Sequence, residues 1–259
     1  MTAFDPDTAI YLHGLPGSAA ELLAALALPS LPAGVHVLDR LGTPGRENDA
    51  ALLAAFNAVA HEPRALIGFS LGAMSALKLA ALRPGRVSSV HLISPAAPLE
   101  LGDFLPHMAG RAVFEAARMG LWPLAALSMV QSAVASGLPD TLLAGMFQGS
   151  APAEQNLSAQ PTFRHALLQS LRMCLRQHRA AYHRELMTYV KPWADTLSQV
   201  RCDVAIWHGE QDGWAPIAMA HALKANLPGQ VDLAICKDLG HFSTLHRCLP
   251  DVLAAAARR

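Results

Sequence analysis

Short apolar runs that alternate with helical patterns are the feature that most constrains the fold of this chain. The runs span residues 8–12, 35–38, 65–69, 87–93, 203–207 and 231–236. Runs of this length that are apolar almost throughout are typical of parallel strands covered on both faces. Because helical patterns separate them, we predict an α/β fold with a mostly parallel six-stranded sheet and helices on both faces.

The alternation is interrupted once, in the middle of the chain. From about residue 99 to about residue 197 no convincing strand is present, and helices are predicted instead, over 104–119, 122–136, 141–147 and 162–189. We therefore expect an α/β core formed by residues 1–98 and 196–259, with an inserted all-helical domain of residues 99–195.

An uncharged run from Met119 to Pro139 exceeds the length of a membrane span. Polar residues recur along one face of this run, which favours an amphipathic helix with one buried side. No transmembrane segment is predicted.

The charge balance excludes some classes of partner. Lys plus Arg and Asp plus Glu are both 20, so nothing indicates binding to nucleic acid. Only 15% of the residues are charged and 52% are apolar, which indicates a large apolar cavity or patch. The composition does not predict an oligomeric state.

Cysteine spacing and short motifs limit the compartment and the cofactors. Four cysteines without CxxC spacing are typical of thiols in a reducing compartment, although counting them does not exclude a disulfide. The N-terminus lacks the features of a signal peptide, so we expect a cytoplasmic location. No HExxH and no glycine-rich nucleotide loop is present, so no metal and no cofactor is predicted.

The pentapeptide Gly68-Phe69-Ser70-Leu71-Gly72 lies between an apolar run and a helical pattern. A serine in a very tight strand-to-helix turn has its hydroxyl lifted clear of the sheet, and the helix directs its first amides toward it. Taken alone, the same five residues equally describe a helix that Ser70 caps.

Three other loops also follow strands of the predicted sheet. They contain His13-Gly14-Leu15-Pro16-Gly17, Gly209-Glu210-Gln211-Asp212 and Gly240-His241. The carboxyl edge is where open α/β sheets build their sites, and the order Ser70, Asp212, His241 matches nucleophile, acid and base in hydrolases of this architecture. The weaker candidates are Asp103 as the acid and His246 as the base, while His13 and His208 are interpreted as structural.

With these motifs the chain resembles the α/β-hydrolase fold superfamily, in the branch with an HGxPG oxyanion loop, a helical cap and a serine nucleophile. The resemblance implies that the amides of Leu15 and Leu71 form the oxyanion hole and that Asp212 and His241 complete a triad with Ser70. Family members usually open with a two-stranded hairpin, for which eight residues are too few. We therefore expect the first two family strands to be missing, which leaves the sheet order 4-3-5-6-7-8.

The activity implied by the resemblance is cleavage of a carboxylic ester of a small or medium apolar acyl group, through an acyl-enzyme on Ser70. Thioesterases, acyltransferases, carbon–carbon bond hydrolases and cofactor-free haloperoxidases share this triad, and the fold does not choose among them. A low-turnover ligand-binding receptor is the alternative from another class. Phe69 and Trp214, which neighbour the nucleophile and the acid, either line the substrate pocket or pack in the core.

Overall fold

The fold is built on one parallel sheet, seen in a computed structural model that describes residues 9–41, 48–60, 62 and 64–258. Its six strands are β1 (Ala9–Leu12), β2 (Val35–Val37), β3 (Arg64–Phe69), β4 (Val87–Ile93), β5 (Asp203–Gly209) and β6 (Val231–Cys236). All neighbouring pairs are parallel, in the order β2-β1-β3-β4-β5-β6. This order equals the predicted family order without its first two strands. Thr8, predicted to open the first strand, lies outside the described residues.

The strand register places the loops that follow the strands at one edge. Leu12 pairs with Gly68, Gly68 with Leu92, Leu92 with Ile206, and Ile206 with Leu233. The central strands β1 and β3 are buried over nearly their whole length, which explains why their sequences are apolar runs. The loops that carry the predicted site motifs therefore meet at the carboxyl edge of the sheet.

The described residues form eleven α-helices. They are α1 (Ala19–Leu26), α2 (Asn48–Val59), α3 (Gly72–Leu82), α4 (Arg111–Met119), α5 (Leu121–Gly137), α6 (Pro139–Phe147), α7 (Pro152–Ser158), α8 (Pro161–Arg172), α9 (Arg179–Tyr189), α10 (Ala218–Asn226) and α11 (His241–Ala256). The six helices α4 to α9 all lie between β4 and β5. Every residue between those two strands is described and none belongs to a strand, and we call residues 99–199 the helical segment.

Within the helical segment two of the predicted helices are each divided into two elements. The prediction over 104–119 divides at Gly110 into a 3₁₀ turn, Leu105–His107, and α4. The prediction over 162–189 is interrupted by a π-helical turn, Met173–Gln177, which separates α8 from α9. Helix α7 was not predicted, because its seven residues are too few to show an apolar period.

Ser18 and Glu21 have the S-x-x-E spacing of a capping box, which predicts the start of α1. Ser18 caps the helix as its position suggests, with its hydroxyl accepting from the amide of Ala20 at 3.2 Å. Glu21 does not complete a capping box. Its Oε1 accepts instead from the hydroxyl of Tyr11 and from the amide of Gly14, both at 2.8 Å. Both of these donors need an acceptor once they are removed from water, and Glu21 supplies it.

The uncharged run around α5 is a helix with one buried side. Leu124, Ser128 and Ala135 are buried, whereas Trp122 is 86% exposed. Among the described helices, none is both long and apolar enough to span a membrane by itself. Helices α5 and α6 reach that length only when they are taken together, and the chain bends by 116° between them.

All four cysteines are free thiols. Cys174 and Cys248 are buried, and Cys202 and Cys236 are partly buried. The sulfur atoms of Cys236 and Cys248 lie 3.3 Å apart, and a hydrogen bond between these two thiols lowers the pKa of Cys236 to about 7.

Candidate active site

Ser70 occupies the turn between β3 and α3 with a backbone φ of 54°. Non-glycine residues rarely adopt this left-handed conformation, and it persists only where the surroundings impose it. The Ser70 carbonyl accepts from the amides of Ala73 and Ala96 at 3.1 Å each, and its own amide donates to the carbonyl of Ile93 at 3.1 Å. Three backbone hydrogen bonds therefore hold the serine in the predicted strand-to-helix turn.

Two glycines let this turn pack against the loop that follows β1. A Cβ atom at Gly72 would collide with the carbonyl oxygen of Leu12, and one at Gly14 would lie 3.3 Å from the Cβ of Ser70. The helix start and the loop therefore touch through backbone atoms, which is possible only where a side chain is missing.

Asp212 and His241 form a buried hydrogen-bonded pair. His241 Nδ1 donates to Asp212 Oδ2 at 2.8 Å, and the two residues are only 3% and 6% exposed. Asp212 follows β5, and its other oxygen, Oδ1, accepts from the amides of Trp214 and Ala215 at 2.9 Å each. Since the carboxylate is fixed by three hydrogen bonds, it holds the imidazole in one tautomer and one orientation.

The pair shifts the protonation of both partners. Burial disfavours the charged form of Asp212. The opposing effects are larger: the imidazole of His241, that of His208 and the hydrogen bonds to the carboxylate together lower the pKa of Asp212. Burial lowers the pKa of His241, but the charge and hydrogen bond of Asp212 outweigh it and the pKa is raised above the usual range. Asp212 is thus ionised at neutral pH and stabilises a protonated His241.

His241 lies beside the Ser70 turn. Its ring packs on that of Phe69, the residue before the serine, with the ring centroids 4.8 Å apart. The hydroxyl of Ser94, at the end of β4, donates to the backbone carbonyl of His241 at 3.3 Å. The turn after β3, the end of β4 and the start of α11, which follows β6, are therefore neighbours at the carboxyl edge of the sheet.

A narrow cleft of about 50 Å³ opens at Ser70, and Leu15 and Leu71 line it beside the serine. Trp214 also lines this cleft, whereas Phe69 does not: it is 1% exposed and packs behind the cleft against His241 and Phe242. The helical segment contributes the far wall, which consists of Met108, Gly110, Val113, Phe114, Tyr182 and Leu186. None of the residues lining the cleft is charged.

A second, wider groove of about 610 Å³ adjoins the cleft. The two share five lining residues, Pro16, Gly110, Val113, Tyr182 and Trp214. Helices α5 and α6 supply much of the remaining wall, including Gln131, Val134, Leu142, Gly145 and Met146. This groove also has no charged lining residue, so an uncharged path leads from the surface to Ser70.

The loop that carries Leu15 is held by an arginine that the sequence did not single out. Arg40 Nη2 donates to the carbonyls of His13 at 2.5 Å and Gly14 at 3.4 Å, and Nη1 donates to Glu185 Oε2 at 2.6 Å. Both charged side chains are buried, at 2% and 8% exposure. Glu185 belongs to α9, so this ion pair joins the loop to the helical segment. No sequence signal identifies such a pair, because its members are 145 positions apart.

The weaker candidates lie in other surroundings. Asp103 is exposed on the loop between two 3₁₀ turns. His246 packs its ring edge-on against Phe163. His13 Nδ1 donates to the carbonyl of Gly14 and His208 Nε2 to that of Ala215, both at 2.7 Å. Burial and the nearby Arg40 lower the pKa of His13 to about 3, so it is neutral.

Metal ligation has no candidate in the described part of the chain, where no group of three or more His, Cys, Asp and Glu side chains is placed to hold an ion.

Comparison with known proteins places this geometry in context. A family model described as the alpha/beta hydrolase family matches residues 9–256. No curated protein sequence matches the chain significantly. An esterase from Exiguobacterium antarcticum has a similar structure, with a TM-score of 0.66 at 17% identity over 99% of this chain and 93% of that one. The enol-lactonase from Burkholderia xenovorans LB400 is also similar, with a TM-score of 0.65 at 13% identity over 98% of this chain and 92% of that one. A bromoperoxidase from Bacillus anthracis has a TM-score of 0.63 at 13% identity over 99% of this chain and 93% of that one.

Proposed function

Since the chain belongs to the alpha/beta hydrolase family, a family of hydrolytic enzymes, we propose that it is a serine hydrolase acting on carboxylic esters of small or medium apolar acyl groups. The observation that carries the proposal is the strained turn at Ser70 beside the buried Asp212–His241 pair. A serine held in this way beside an oriented imidazole is suited to attack an acyl carbon.

Acylation begins when Ser70 Oγ attacks the ester carbonyl. His241 takes the serine proton through Nε2, since its Nδ1 is already committed to Asp212. Asp212 stays ionised and stabilises the imidazolium. The same imidazolium then gives its proton to the departing alcohol, and the acyl group is left on Ser70.

The tetrahedral intermediate carries a negative oxygen, for which we assign the amides of Leu15 and Leu71 as donors. The first turn of any helix leaves amides without an intrahelical acceptor, and Leu71 directly precedes α3. A donor of this kind typically contributes about 3 kcal/mol to stabilising the transition state. Water activated by His241 then attacks the acyl carbon, and Ser70 is released.

The apolar acyl preference rests on the walls of the site. The cleft and the adjoining groove have no charged lining residue, so an ionised acyl chain would lose its hydration without gaining a partner. We assign residues 99–195, which form most of the helical segment, the role of a cap domain over a core of residues 1–98 and 196–259. Its helices α4 and α9 form the wall opposite the sheet edge.

The test combines covalent labelling with turnover. We expect wild-type protein to react with a fluorophosphonate probe and to hydrolyse nitrophenyl esters of short and medium acyl length, and Ser70→Ala to lose both activities. Ser198→Ala, which changes an exposed serine in a 3₁₀ turn, is the matched control and should keep both. Labelling that survives Ser70→Ala would assign the nucleophile elsewhere. A burst of product equal to the protein concentration, with almost no turnover after it, would instead favour a ligand-binding receptor.

A further inference from the structure

Glu154 is a buried carboxylate that the mechanism above does not use. It lies in α7, within the helical segment, and is 1% exposed. A carboxylate is rarely buried to this extent unless it has strong partners. Its partners are not on the helical segment but on the helix that begins with His241.

Both oxygens of Glu154 are used on the first turn of α11. Oε1 accepts from the amide of Phe242 and Oε2 from the amide of Ser243, each at 2.8 Å. These are two of the amides that a helix start leaves without an intrahelical acceptor. The residue in the N-cap position is Gly240, which has no side chain to accept from them. The hydroxyl of Ser243 accepts from the amide of Gly240 at 2.7 Å, and Glu154 supplies, from 86 positions earlier in the chain, the acceptor that a glycine N-cap cannot provide.

Gly240 leaves the space that Glu154 occupies. A Cβ at position 240 would lie 2.8 Å from Glu154 Oε2 and 3.0 Å from Glu154 Cδ. A residue with a side chain would therefore push the carboxylate off the helix. Gly240 and His241, the pair from which the sequence predicts the catalytic base, thus also form the place where Glu154 contacts α11.

The charge of Glu154 acts on His241 as well. The imidazole faces Asp212 and His208 from the β5 end, Glu21 from α1 and Glu154 from α7. Burial opposes protonation, whereas the three carboxylates favour it, with Asp212 contributing most and Glu154 ranking ahead of Glu21. Removal of the Glu154 charge should therefore lower the pKa of His241.

We propose that Glu154 is a positioning residue for His241, which fixes the first turn of α11 from the helical segment so that the imidazole points at Ser70. The proposal rests on the serine-hydrolase function proposed above. The helical segment then has two roles, because it forms a wall of the cleft and also positions a catalytic residue. Helix α7 must pack against α11 before His241 has its working orientation.

The test compares two substitutions at position 154. Glu154→Gln keeps the size but removes the charge and turns one acceptor into a donor facing an amide. We expect kcat for a nitrophenyl ester to fall at least about tenfold with KM within about twofold, since an oriented base contributes about 10²–10⁴-fold to such reactions. The acid limb of kcat/KM should move to lower pH, because a less basic His241 stays neutral further into acid. Glu154→Asp keeps the charge, so its acid limb should stay at the wild-type pH while kcat falls.

Glu100→Gln is the matched control. Glu100 also accepts two successive backbone amides, those of Trp193 and Ala194 at 2.6 Å each, but it does not line the cleft at Ser70. We expect its kcat and pH profile to match wild type.

A kcat for Glu154→Gln within twofold of Glu100→Gln, with an unmoved acid limb, would overturn the proposal. If Glu154→Gln does not fold, Glu154→Asp decides the question: wild-type kcat in that variant contradicts positioning. Failure of the proposed function would show separately, as turnover that survives Ser70→Ala.

Discussion

The sheet edge and the helical segment build the same site by different means. At the sheet edge, Ser70, Asp212 and His241 each follow a strand directly or after a short loop, so the parallel register places all three at the same edge. The helical segment contributes neither member of the Asp212–His241 pair nor the serine. It contributes the uncharged far wall of the cleft and two buried carboxylates, Glu154 and Glu185, which reach back to the sheet edge.

The difference separates local from long-range determinants of function. The sequence signal for the turn at Ser70 lies in neighbouring residues, Gly68 to Gly72, and the contacts that hold the turn come from the adjacent strands of the same sheet. The carboxylate contacts join residues 88 to 145 positions apart and exist only when both regions have folded. The site motifs therefore lie in short stretches of the α/β core, whereas the contacts of Glu154 and Glu185 depend on how the two regions meet.

The largest expected effect is at the sheet edge. Asp212→Asn keeps the shape but should stabilise the wrong tautomer of His241, and a loss of about 10⁴-fold in kcat is typical of this change in a serine triad. Steady-state hydrolysis of a nitrophenyl ester measures it. Asp103→Asn, on the exposed loop, should retain wild-type kcat, and the opposite ranking would move the acid to Asp103.

The next effect tests the connection between the regions. Glu185→Ala leaves the buried Arg40 without its anionic partner and should lower the free energy of unfolding by about 3–5 kcal/mol, as is usual for breaking a buried ion pair. Urea unfolding followed by circular dichroism measures this loss. Glu115→Ala removes the exposed partner of Arg111 and should cost at most about 1 kcal/mol. Equal losses in the two variants would show that the buried pair does not hold the regions together.

The smallest effect concerns the outer groove. Gly145 lines this groove and, apart from its neighbours in α6, no described atom lies within 4 Å of the position that its Cβ would take. Gly145→Leu should therefore fill part of the groove without a clash. We expect kcat/KM for long-chain nitrophenyl esters to fall about tenfold relative to short-chain esters, since a few methylene groups in a pocket contribute about 1–3 kcal/mol. Gly137→Leu is the control, because it also has open space but lies outside the groove lining. An unchanged chain-length profile in Gly145→Leu would place the substrate chain elsewhere.

The features that the sequence could predict belong mainly to the α/β core and not to the helical segment. All six strands and the loops at the carboxyl edge could be predicted, because apolar runs with glycine and proline punctuation are local signals. The strand order was predicted from the family resemblance. The bounds of β4 and β6 match their predictions residue for residue. The geometry of Ser70, Asp212 and His241 agrees with the order of the motifs, whereas their catalytic roles stay predictions until they are tested.

The remaining features required the tertiary structure. Glu21 had the spacing of a capping box but turned to Tyr11 and Gly14, since buried donors compete for the same carboxylate. Helix α7 is too short and too polar to show a period, so Glu154 gave no signal. Phe69 had the right position in sequence to line a pocket, but alternation along β3 directs it behind the cleft.

The positive φ angles also bear on how this protein could be engineered for heat resistance. Among the described non-glycine residues, Ala27, Ser70, Ser94 and Asp238 adopt them, and the last three follow β3, β4 and β6 at the site edge. Each such conformation costs on the order of 1 kcal/mol, which glycine would not incur. A screen that rewards stability alone would therefore favour glycine at Ser70 and select an inert protein. Ala27, at the far end of α1, is the position where relief of strain and preservation of activity do not conflict.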